Sequence, residues 1–515
     1  MNLEELLYKY FGYQSFRQGQ KDIIQDILSG NHVFATLPTG SGKSICFQLP
    51  AMIFKGHTIV VTPLLSLMED QVKQLKKRGF KRVVAINSFN SGEQRANILN
   101  RLSDYQLIYL SPEMLQNQTI INRLSKLTID LFVVDEAHCI SQWGHEFRPD
   151  YLKLNQVIVQ LGDPTVLALT ATATPDVQLD IINHFSAIEF NKHLYPIDRD
   201  NISLIIEHFD QRKEKDEYLI NLFHQYTVPT IIYFSSKKET ERVANLLNDT
   251  FSQLNVAFYH GGLETNERLL IQEQFIEDQI DIICSTSAFG MGIDKSNIRL
   301  IIHYHIPTQL ESFIQEIGRA GRDQLASVSI TLITPNDQHL PRHLIESELP
   351  TKSMIESLFT NLDYLNKTKQ KITLDQILNI NEPMNEIQRQ FIQDNIEQTG
   401  IIDLEQQIDV NKINLMWKNE LIDKIERRTL YKHRKLMEMM NWIYTTKCRR
   451  EALYQSFQSS VKEAKYFCCD QCGFTLKQWS PESSPRRTNT MSWQLQLKSI
   501  LLPFETGGTN DGEEN

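Results

Sequence analysis

Apolar and polar positions divide the chain into two series of short apolar runs and a mixed C-terminal part. The first series consists of Val33–Thr36, Thr58–Val61, Val83–Ile86, Leu107–Leu110, Leu131–Val134 and Val166–Leu169. The second series consists of Thr230–Phe234, Val256–Tyr259, Asp281–Cys284, Leu300–His303 and Ser327–Ile333. Near-continuously apolar strands that alternate with helical patterns are typical of parallel sheets covered on both faces. The pattern therefore predicts an α/β protein with two doubly wound lobes in tandem.

Helical patterns precede the first series of apolar runs and follow the second. Residues 1–30 are predicted to be helical, as are Ser353–Leu365, Asn385–Gln398 and Lys424–Lys447, whereas residues 400–415 have the spacing of a short hairpin. Helices followed by a hairpin fit a winged-helix-like module, and a plain helical insert fits the same pattern equally well. The predicted domains are lobe 1 (1–198), lobe 2 (199–340), a helical or winged-helix-like module (341–420), a cysteine-containing helical segment (421–479) and a disordered tail (480–515).

Composition changes this picture little. The 515 residues are 41% hydrophobic and 23% charged, with no apolar run of membrane-spanning length, and the N-terminus is acidic and amphipathic, unlike a signal peptide. We therefore expect a cytoplasmic protein without a membrane partner. The formal net charge of −10 means that any nucleic-acid site must be local. In the tail, Trp493–Leu502 fits either a peptide that binds a protein partner or a plain terminal segment.

One glycine-containing turn has the character of a phosphate-binding loop. It follows the apolar strand that ends at Thr36 and precedes an apolar helix start. Gly40 and Gly42 allow backbone N–H groups to point at a phosphate, and the dipole of the following helix favours an anion there. In such a loop, Lys43 neutralises the β- and γ-phosphates of ATP and the Ser44 hydroxyl holds Mg²⁺. The alternative is an ordinary Gly/Ser turn.

Two adjacent carboxylates follow the strand Leu131–Val134. The carboxyl ends of parallel strands form the crevice in which α/β sheets bind ligands. We expect Asp135 to bind Mg²⁺, directly or through water, and Glu136 to orient or deprotonate the attacking water. A solvated loop start is the alternative, but the position after the phosphate loop favours the catalytic interpretation.

Arg319 and Arg322 lie three positions apart in the second lobe, on one face of a predicted helical turn. Alone, they indicate only a charged helix. Across a cleft from a phosphate loop, they would act as arginine fingers, which contribute on the order of 10³–10⁵ in rate. Hydrolysis would then depend on closure of the two lobes, as it does in a motor.

These motifs, in their order, resemble those of RecQ-type DNA helicases of superfamily 2, over residues from about 10 to 335. The resemblance implies RecA-like lobes and the cofactors ATP and Mg²⁺. Val61–Gln71 and Ser111–Glu113 resemble strand-contacting motifs, and Ala168–Ala173 resembles the motif that couples the lobes. The residues that the resemblance places around the nucleotide are Tyr13, Arg17 and Gln20 as the adenine-recognition element, with Thr39, Gly40, Ser41, Gly42, Lys43, Ser44, Gly292 and Asp294.

The segment Ile140–Asp150 follows the two carboxylates and mixes aromatic with charged residues. Trp143 and Phe147 offer stacking faces for bases, and Arg148 adds charge and cation–π capacity. The resemblance implies that this loop, which also contains His145, senses single-stranded DNA and reports it to the ATP site. A packed aromatic loop is the alternative. The loop favours DNA over RNA as the substrate.

Four of the seven cysteines cluster late in the chain, which in a cytosolic protein indicates a metal before a disulfide. The resemblance implies a four-cysteine zinc module, in which the fourth ligand is expected at Tyr466, but a cysteine stands at position 468 instead. Four thiolates are the simplest tetrahedral set, and two buried free thiols are the alternative. The predicted Zn²⁺ ligands are Cys448, Cys468, Cys469 and Cys472.

Basic residues near these cysteines are expected to track DNA phosphates, at least in part, the remainder forming a solvated helix face. They are Arg427, Arg428, Lys432, Arg434, Lys435, Lys447, Arg449 and Arg450. Few residues follow Cys472, so we expect a short form that lacks the family's terminal helical nucleic-acid-binding domain.

Together these features predict an ATP-dependent DNA helicase that acts on single-stranded and partly duplex DNA in recombination and repair, in the nucleoid. The resemblance implies 3′-to-5′ movement. The alternatives are a DNA-stimulated ATPase that remodels or anneals DNA without processive unwinding, and an RNA-remodelling ATPase.

Overall fold

The apolar runs of the sequence form two separate parallel sheets. The structure is a computed structural model that describes residues 2–141, 148–290, 295–368, 384–398 and 415–481. The strands of lobe 1 are β1 (His32–Thr36), β2 (His57–Val61), β3 (Val83–Ile86), β4 (Leu107–Leu110), β5 (Ile129–Val134), β6 (Thr165–Thr170) and β7 (Phe190–Leu194). They pair in the order β3-β4-β2-β5-β6-β1-β7. Thr36 at the end of β1 lies opposite Thr170 at the end of β6, so the loops after these strands meet at one edge.

Lobe 2 repeats this arrangement with one strand fewer. Its strands are β8 (Ile202–His208), β9 (Thr230–Tyr233), β10 (Val256–Tyr259), β11 (Ile282–Ser285), β12 (Leu300–His303) and β13 (Ser327–Ile333). They pair in the order β10-β11-β9-β12-β13-β8. The predicted class of two parallel-sheet RecA-like lobes is therefore confirmed.

Helices cover both faces of each sheet. Those of lobe 1 are α1 (Leu3–Phe11), α2 (Gln20–Leu28), α3 (Ile45–Ile53), α4 (Leu65–Lys77), α5 (Gly92–Asn100), α6 (Gln118–Leu124), α7 (Leu154–Gln160) and α8 (Pro175–His184). Those of lobe 2 are α9 (Arg212–Gln225), α10 (Lys237–Thr250), α11 (Thr265–Ile276) and α12 (Leu310–Ile317). Because alternate side chains of a strand point to opposite faces, Phe34 and Val33 of β1 belong to different apolar clusters.

Helices form most of the described C-terminal part as far as Tyr454. Its helices are α13 (His339–Glu348), α14 (Lys352–Thr368), α15 (Glu386–Gln398), α16 (Leu415–Ile443) and α17 (Arg449–Tyr454). The long helix α16 contacts α12 through a buried ion pair in which Lys435 Nζ lies 2.7 Å from Glu311 Oε1. Trp442 of α16 also packs against Phe313 of α12, with ring centroids 4.6 Å apart. The helical part therefore supports the helix that leads to Arg319.

The cysteine-containing residues Cys448–Cys472, here called the cysteine segment, lie along the edge of the second sheet. The backbone N–H of Leu204 in β8 donates to the carbonyl oxygen of Cys468 at 3.1 Å, and Ser203 Oγ donates to the carbonyl oxygen of Phe467 at 2.9 Å. A short parallel bridge joins Leu204 to Cys469. These contacts cover the exposed edge of β8.

Three details of the predicted secondary structure are wrong. Residues between Gly12 (φ 75°) and Gly19 (φ 83°) are not helical, because left-handed backbone at these glycines ends one helix and precedes the next. The strands β7 and β8 were not predicted; β7 is an edge strand with exposed polar side chains, whereas β8 has an apolar run that the pattern alone could identify. The long helix begins at Leu415, earlier than predicted.

Other predictions stay open. Most of the predicted hairpin at 400–415 and almost all of the predicted tail lie outside the described residues, so the winged-helix-like module and the tail remain predictions. The predicted domain border at residue 420 falls within α16. Among the described helices, none is long and apolar enough to cross a membrane.

Candidate ATP-binding and catalytic site

A cavity of about 440 Å³ lies where the phosphate loop (Leu37–Ser44) faces the turn after α12 (Gly318–Asp323, here the arginine turn). Its wall from lobe 1 includes Tyr13, Arg17, Gln20, Thr39, Gly40, Gly42, Lys43, Ser44, Asp135 and Glu136. Its wall from lobe 2 includes Ser296, Gln315, Arg319 and Arg322. The structure thus brings together predicted residues that are far apart in the sequence.

The phosphate loop depends on its glycines for backbone shape and for space. Gly40 and Gly42 both have a φ of 78°, a region that side chains other than glycine rarely adopt. A Cβ atom at Gly40 would lie 2.8 Å from Cγ of Arg322, and one at Gly42 would lie 2.9 Å from Nε2 of Gln20. Glycine is therefore required where neighbouring side chains approach the loop.

The predicted adenine-recognition element holds the phosphate loop by hydrogen bonds. Arg17 Nη1 donates to the carbonyl oxygen of Gly40 at 2.6 Å, and Gln20 Nε2 donates to those of Ser41 and Gly42 at 3.0 Å. Tyr13 is 46% exposed at the cavity. Contact of these side chains with adenine remains a prediction, and the contacts observed fix the shape of the loop.

Asp135 is buried at the end of β5, where the hydroxyl of Tyr151 donates to its carbonyl oxygen at 3.0 Å. Burial, and then the adjacent negative charge of Glu136, raise the pKa of Asp135 to about 6. A nearby cation would stabilise the ionised form of such a buried carboxylate. Both Asp135 and Ser44 line the cavity. The oxygen ligands present therefore fit Mg²⁺.

Glu136 has a left-handed backbone with a φ of 48°, which is uncommon outside glycine and is often found at functional sites. Its Oε1 lies 3.4 Å from Nζ of Lys43, and its Oε2 lies 3.4 Å from Nδ1 of His138. The same His138 nitrogen lies 3.0 Å from Oγ1 of Thr170. His138 therefore lies between Glu136 and Thr170, a residue of the predicted lobe-coupling motif.

The arginine turn corrects the prediction of a helical face. Helix α12 ends at Ile317, and Gly321 (φ 54°) interrupts the helical path, so Arg319 and Arg322 lie in a turn. The turn approaches lobe 1 closely, since a Cβ atom at Gly318 would lie 2.7 Å from Cβ of Thr39. Both arginines nevertheless line the cavity that contains the phosphate loop.

Most of the predicted DNA-sensing residues cannot be placed. Trp143, His145 and Phe147 lie outside the described residues, as do the predicted nucleotide contacts Gly292 and Asp294. Arg148 is described, and its Nη1 lies 3.3 Å from Oε1 of Glu113 in the predicted strand-contacting motif Ser111–Glu113. These assignments therefore remain predictions.

The four late cysteines come together in space. The sulfur atoms of Cys448, Cys468, Cys469 and Cys472 all lie within 4.8 Å of one another. Zn–S bonds of about 2.3 Å in a tetrahedron separate sulfur atoms by a little under 4 Å, so this set fits Zn²⁺. A hydrogen bond from Cys468 lowers the pKa of Cys469 to about 5, and the backbone N–H of Arg449 donates to the same sulfur at 3.3 Å. The alternative ligand position, Tyr466, instead donates its hydroxyl to the carbonyl oxygen of Gln324.

The predicted basic surface is wrong for three of its members. Lys435, Arg449 and Arg450 are buried and contact protein groups. Lys435 pairs with Glu311, Arg449 with Asp470, and Arg450 with backbone carbonyl oxygens. Charged side chains are rarely buried without such partners, so these residues support the fold and do not face DNA.

Sequence reasoning missed Arg199, which lies in the connection between the two sheets. It is buried, and its guanidinium contacts both the phosphate loop and the arginine turn. The polar stretch around it gives no periodicity signal, because its partners lie far away in the chain.

Comparison with known proteins agrees with this geometry. Residues 17–180 match the DEAD/DEAH box helicase family, and residues 214–324 match the helicase conserved C-terminal domain. The chain is 39% identical to the probable ATP-dependent DNA helicase RecS of Bacillus subtilis over 511 residues, which cover 99% of each chain. The chain belongs to the RecQ/RecS family of ATP-dependent DNA helicases. The predicted family and the predicted enzyme class are therefore confirmed.

Other relatives share less of their length with this family member. The ATP-dependent DNA helicase RecQ of Bacillus subtilis is 41% identical over 369 residues, which cover 70% of this chain and 61% of that protein. The DEAD-box helicase Mss116, solved with ssRNA and UDP-BeF, aligns with a TM-score of 0.56 at 16% identity, covering 87% of this chain and 89% of its own. At that identity the likeness supports the fold alone.

Proposed function

We propose that this family member uses ATP hydrolysis to move along single-stranded DNA in the 3′-to-5′ direction and to unwind partly duplex DNA during recombination and repair. One observation carries the proposal: the phosphate loop, two carboxylates and two arginines from the other lobe line a single cavity. A site built from both lobes couples hydrolysis to their relative movement. The resemblance to RecQ-type helicases supports the direction.

Each residue is assigned a role by its position. Lys43 would neutralise the β- and γ-phosphates of ATP, and Ser44 and Asp135 would hold Mg²⁺, which would stabilise the negative charge on the phosphates. Glu136, oriented by its left-handed backbone, would position the attacking water. Arg319 and Arg322 would stabilise the charge that develops on the transferred phosphoryl group.

The cysteine segment is assigned a structural Zn²⁺ held by Cys448, Cys468, Cys469 and Cys472. The supporting observations are the proximity of the four sulfur atoms and the position of the segment along β8. A structural site with four protein ligands contributes folding free energy and leaves no open position for catalysis. The metal would therefore hold the segment on lobe 2.

A test of the proposed function measures steady-state ATPase activity without nucleic acid, with single-stranded DNA and with single-stranded RNA. Strand displacement is measured in parallel on duplexes with a 3′ or a 5′ single-stranded tail. We expect stimulation by DNA and displacement of the 3′-tailed duplex only. Displacement of the 5′-tailed duplex would contradict the direction.

The other outcomes separate the alternatives. Stimulation by DNA without displacement would indicate an ATPase that remodels or anneals DNA. Stronger stimulation by RNA would contradict the DNA substrate. The Lys43→Ala variant, which lacks the phosphate-binding ammonium group, is the matched control in both assays and should be inactive.

A further inference from the structure

Arg199 occupies the connection between the last strand of the first sheet and the first strand of the second. Its Nη1 donates to the carbonyl oxygen of Thr39 in the phosphate loop at 2.9 Å and to that of Gly318 in the arginine turn at 3.1 Å. A single nitrogen therefore joins the two halves of the ATP site. Because both acceptors are backbone atoms, the bonds fix the path of the loop and the turn.

The second guanidinium nitrogen extends this contact along the arginine turn. Arg199 Nη2 donates to the carbonyl oxygens of Ala320 at 3.2 Å and Gly321 at 2.5 Å, and to Oδ1 of Asn201 at 3.2 Å. The carbonyl oxygens of Gly318, Ala320 and Gly321 flank Arg319, so the backbone that carries this predicted finger is held on both sides. A planar guanidinium can make such a set of bonds, whereas an ammonium group cannot.

Arg199 is itself anchored by the cysteine segment. Arg450 Nη1 donates to the carbonyl oxygen of Arg199 at 2.6 Å, and Arg450 Nη2 donates to that of Ile202 at 2.6 Å. Both arginines are buried. Arg450, two residues after Cys448, therefore links the cysteine segment to the backbone of Arg199, whose side chain contacts the phosphate loop.

Burying the charged guanidinium of Arg199 without a carboxylate partner costs free energy. Burial, together with the positive charge of Arg322, lowers the pKa of Arg199 to about 10, so it remains charged at neutral pH. A buried cation with carbonyl oxygens as acceptors is less favourable than one that is paired with a carboxylate. The hydrogen bonds to two parts of the site offset this cost only while the loop and the turn are together.

We propose that Arg199 is a positioning residue for ATP hydrolysis, which holds the phosphate loop of lobe 1 against the arginine turn of lobe 2, and that Arg450 fixes its backbone. The inference rests on the proposed function of Arg319 as a finger, since Arg199 binds the carbonyl oxygens on either side of it. Arg199 does not touch the reacting atoms; it sets the distance between the groups that do.

The test compares Arg199→Lys with wild type in DNA-stimulated ATPase assays at varied ATP concentration. Lysine keeps the positive charge but lacks the planar set of N–H donors of the guanidinium group. We therefore expect kcat to fall about tenfold or more while KM for ATP changes by less than about threefold. Binding of a fluorescent ATP analogue should change as little as KM. A rise in KM with an unchanged kcat would overturn the proposal.

A matched control is Arg242→Lys. Arg242 also makes two short bonds, 2.9 and 3.0 Å, to Asp216, but it lies in lobe 2 outside the cavity. We expect its kcat and KM to stay at the wild-type values. An equal loss of kcat in this control would show that the effect of Arg199→Lys is general destabilisation, which overturns the proposal.

A double-variant cycle separates this inference from the assignment of the finger. In the Arg319→Ala background, Arg199→Lys should lower kcat further by less than about twofold, because the finger whose flanking backbone Arg199 holds is gone. A full tenfold loss in that background would overturn the positioning role. An unchanged kcat in Arg319→Ala alone would contradict the assignment of Arg319 as a finger and, with it, the bridging role of Arg199.

A second variant keeps the proposal testable if Arg199→Lys is insoluble. Arg450→Lys should lower kcat in the same direction by about threefold, with KM and the zinc content of the protein unchanged. Zinc content is the readout that reports damage to the cysteine segment. An unchanged kcat with unchanged zinc would overturn the anchoring role of Arg450.

Discussion

The two sheets have the same strand order but carry different chemistry at their equivalent strands. In the orders β3-β4-β2-β5-β6-β1 and β10-β11-β9-β12-β13-β8, the strand β8 of lobe 2 corresponds to β1 of lobe 1. A glycine-containing loop follows β1, whereas Phe209–Gln211, without a glycine, leads from β8 to α9. Without positive φ, the second loop cannot direct consecutive N–H groups at a phosphate.

The same contrast holds at the next pair of equivalent strands. Asp135 and Glu136 follow β5, whereas Tyr304 and His305 follow β12. Burial, and then the charge of Lys215, lower the pKa of His305 to about 4, so it is neutral at physiological pH. At these two equivalent positions, both among the described residues, lobe 2 therefore has neither a glycine-containing loop nor a carboxylate pair, and it lines the cavity through the arginine turn.

The sheet edges differ as well. In lobe 1, the strand β7 pairs with β1 and covers that edge, whereas in lobe 2 the cysteine segment bridges β8. One edge is closed by the chain before it enters the second lobe, and the other by residues from near the end of the described chain. The same scaffold therefore has one sheet edge covered by a strand of the same lobe and the other covered by a segment that is distant in the sequence.

The largest effect is expected in lobe 1. The Glu136→Gln variant keeps the size of the side chain but removes the carboxylate, so kcat should fall by roughly 10⁴-fold, while ATP binding is retained. A steady-state ATPase assay and an ATP-binding titration measure both. The exposed Glu93→Gln is the control. Substantial hydrolysis by Glu136→Gln would contradict its assignment.

A smaller loss is expected in lobe 2. Arg322→Ala removes one proposed finger while Arg319 remains, so kcat should fall by about 10³-fold, at the lower end of the range for arginine fingers. The exposed Arg342→Ala should match wild type. If Arg322→Ala kept wild-type turnover, the division of roles between the lobes would be wrong.

A third prediction concerns the proposed zinc ligands of the cysteine segment, which lies along the edge of lobe 2. Cys469→Ser should abolish zinc binding in metal analysis and lower the melting temperature by roughly 5 °C, because the proposed zinc would contribute to folding only when its ligands are complete. Cys284 lies outside the cluster, so Cys284→Ala should keep its zinc. Unchanged zinc in Cys469→Ser would refute the site.

The smallest effect concerns a surface contact between the lobes. Lys73 Nζ of α4 lies 2.8 Å from Oε1 of Glu273 of α11, with both side chains more than half exposed. Exposed pairs contribute little, so Lys73→Ala should change ATPase activity by less than about twofold and the melting temperature by about 1 °C or less. A loss comparable with that of Arg199→Lys would show that surface contacts, and not the buried arginine, hold the lobes together.

The class of the fold, most strands and the positions of the phosphate loop and the two carboxylates could be predicted from the sequence. These features are local: apolar runs report burial, and Gly40, Gly42, Asp135 and Glu136 lie at fixed offsets from their strands. The four cysteines were also identified by spacing and resemblance. The sequence indicated Arg319 and Arg322 but not the turn in which they lie, because the positive φ of Gly321 cannot be inferred from helical spacing.

The folded arrangement was needed to show which of the basic residues contact protein and which residue joins the lobes. Lys435, Arg449 and Arg450 look like a DNA-binding surface in sequence but are buried by contacts with distant elements. No motif or periodicity in the sequence marks Arg199. Its hydrogen-bond acceptors in the phosphate loop and the arginine turn lie more than a hundred residues away in either direction. Periodicity reports the environment of a segment, whereas a hydrogen bond between distant segments exists only once both lobes are folded.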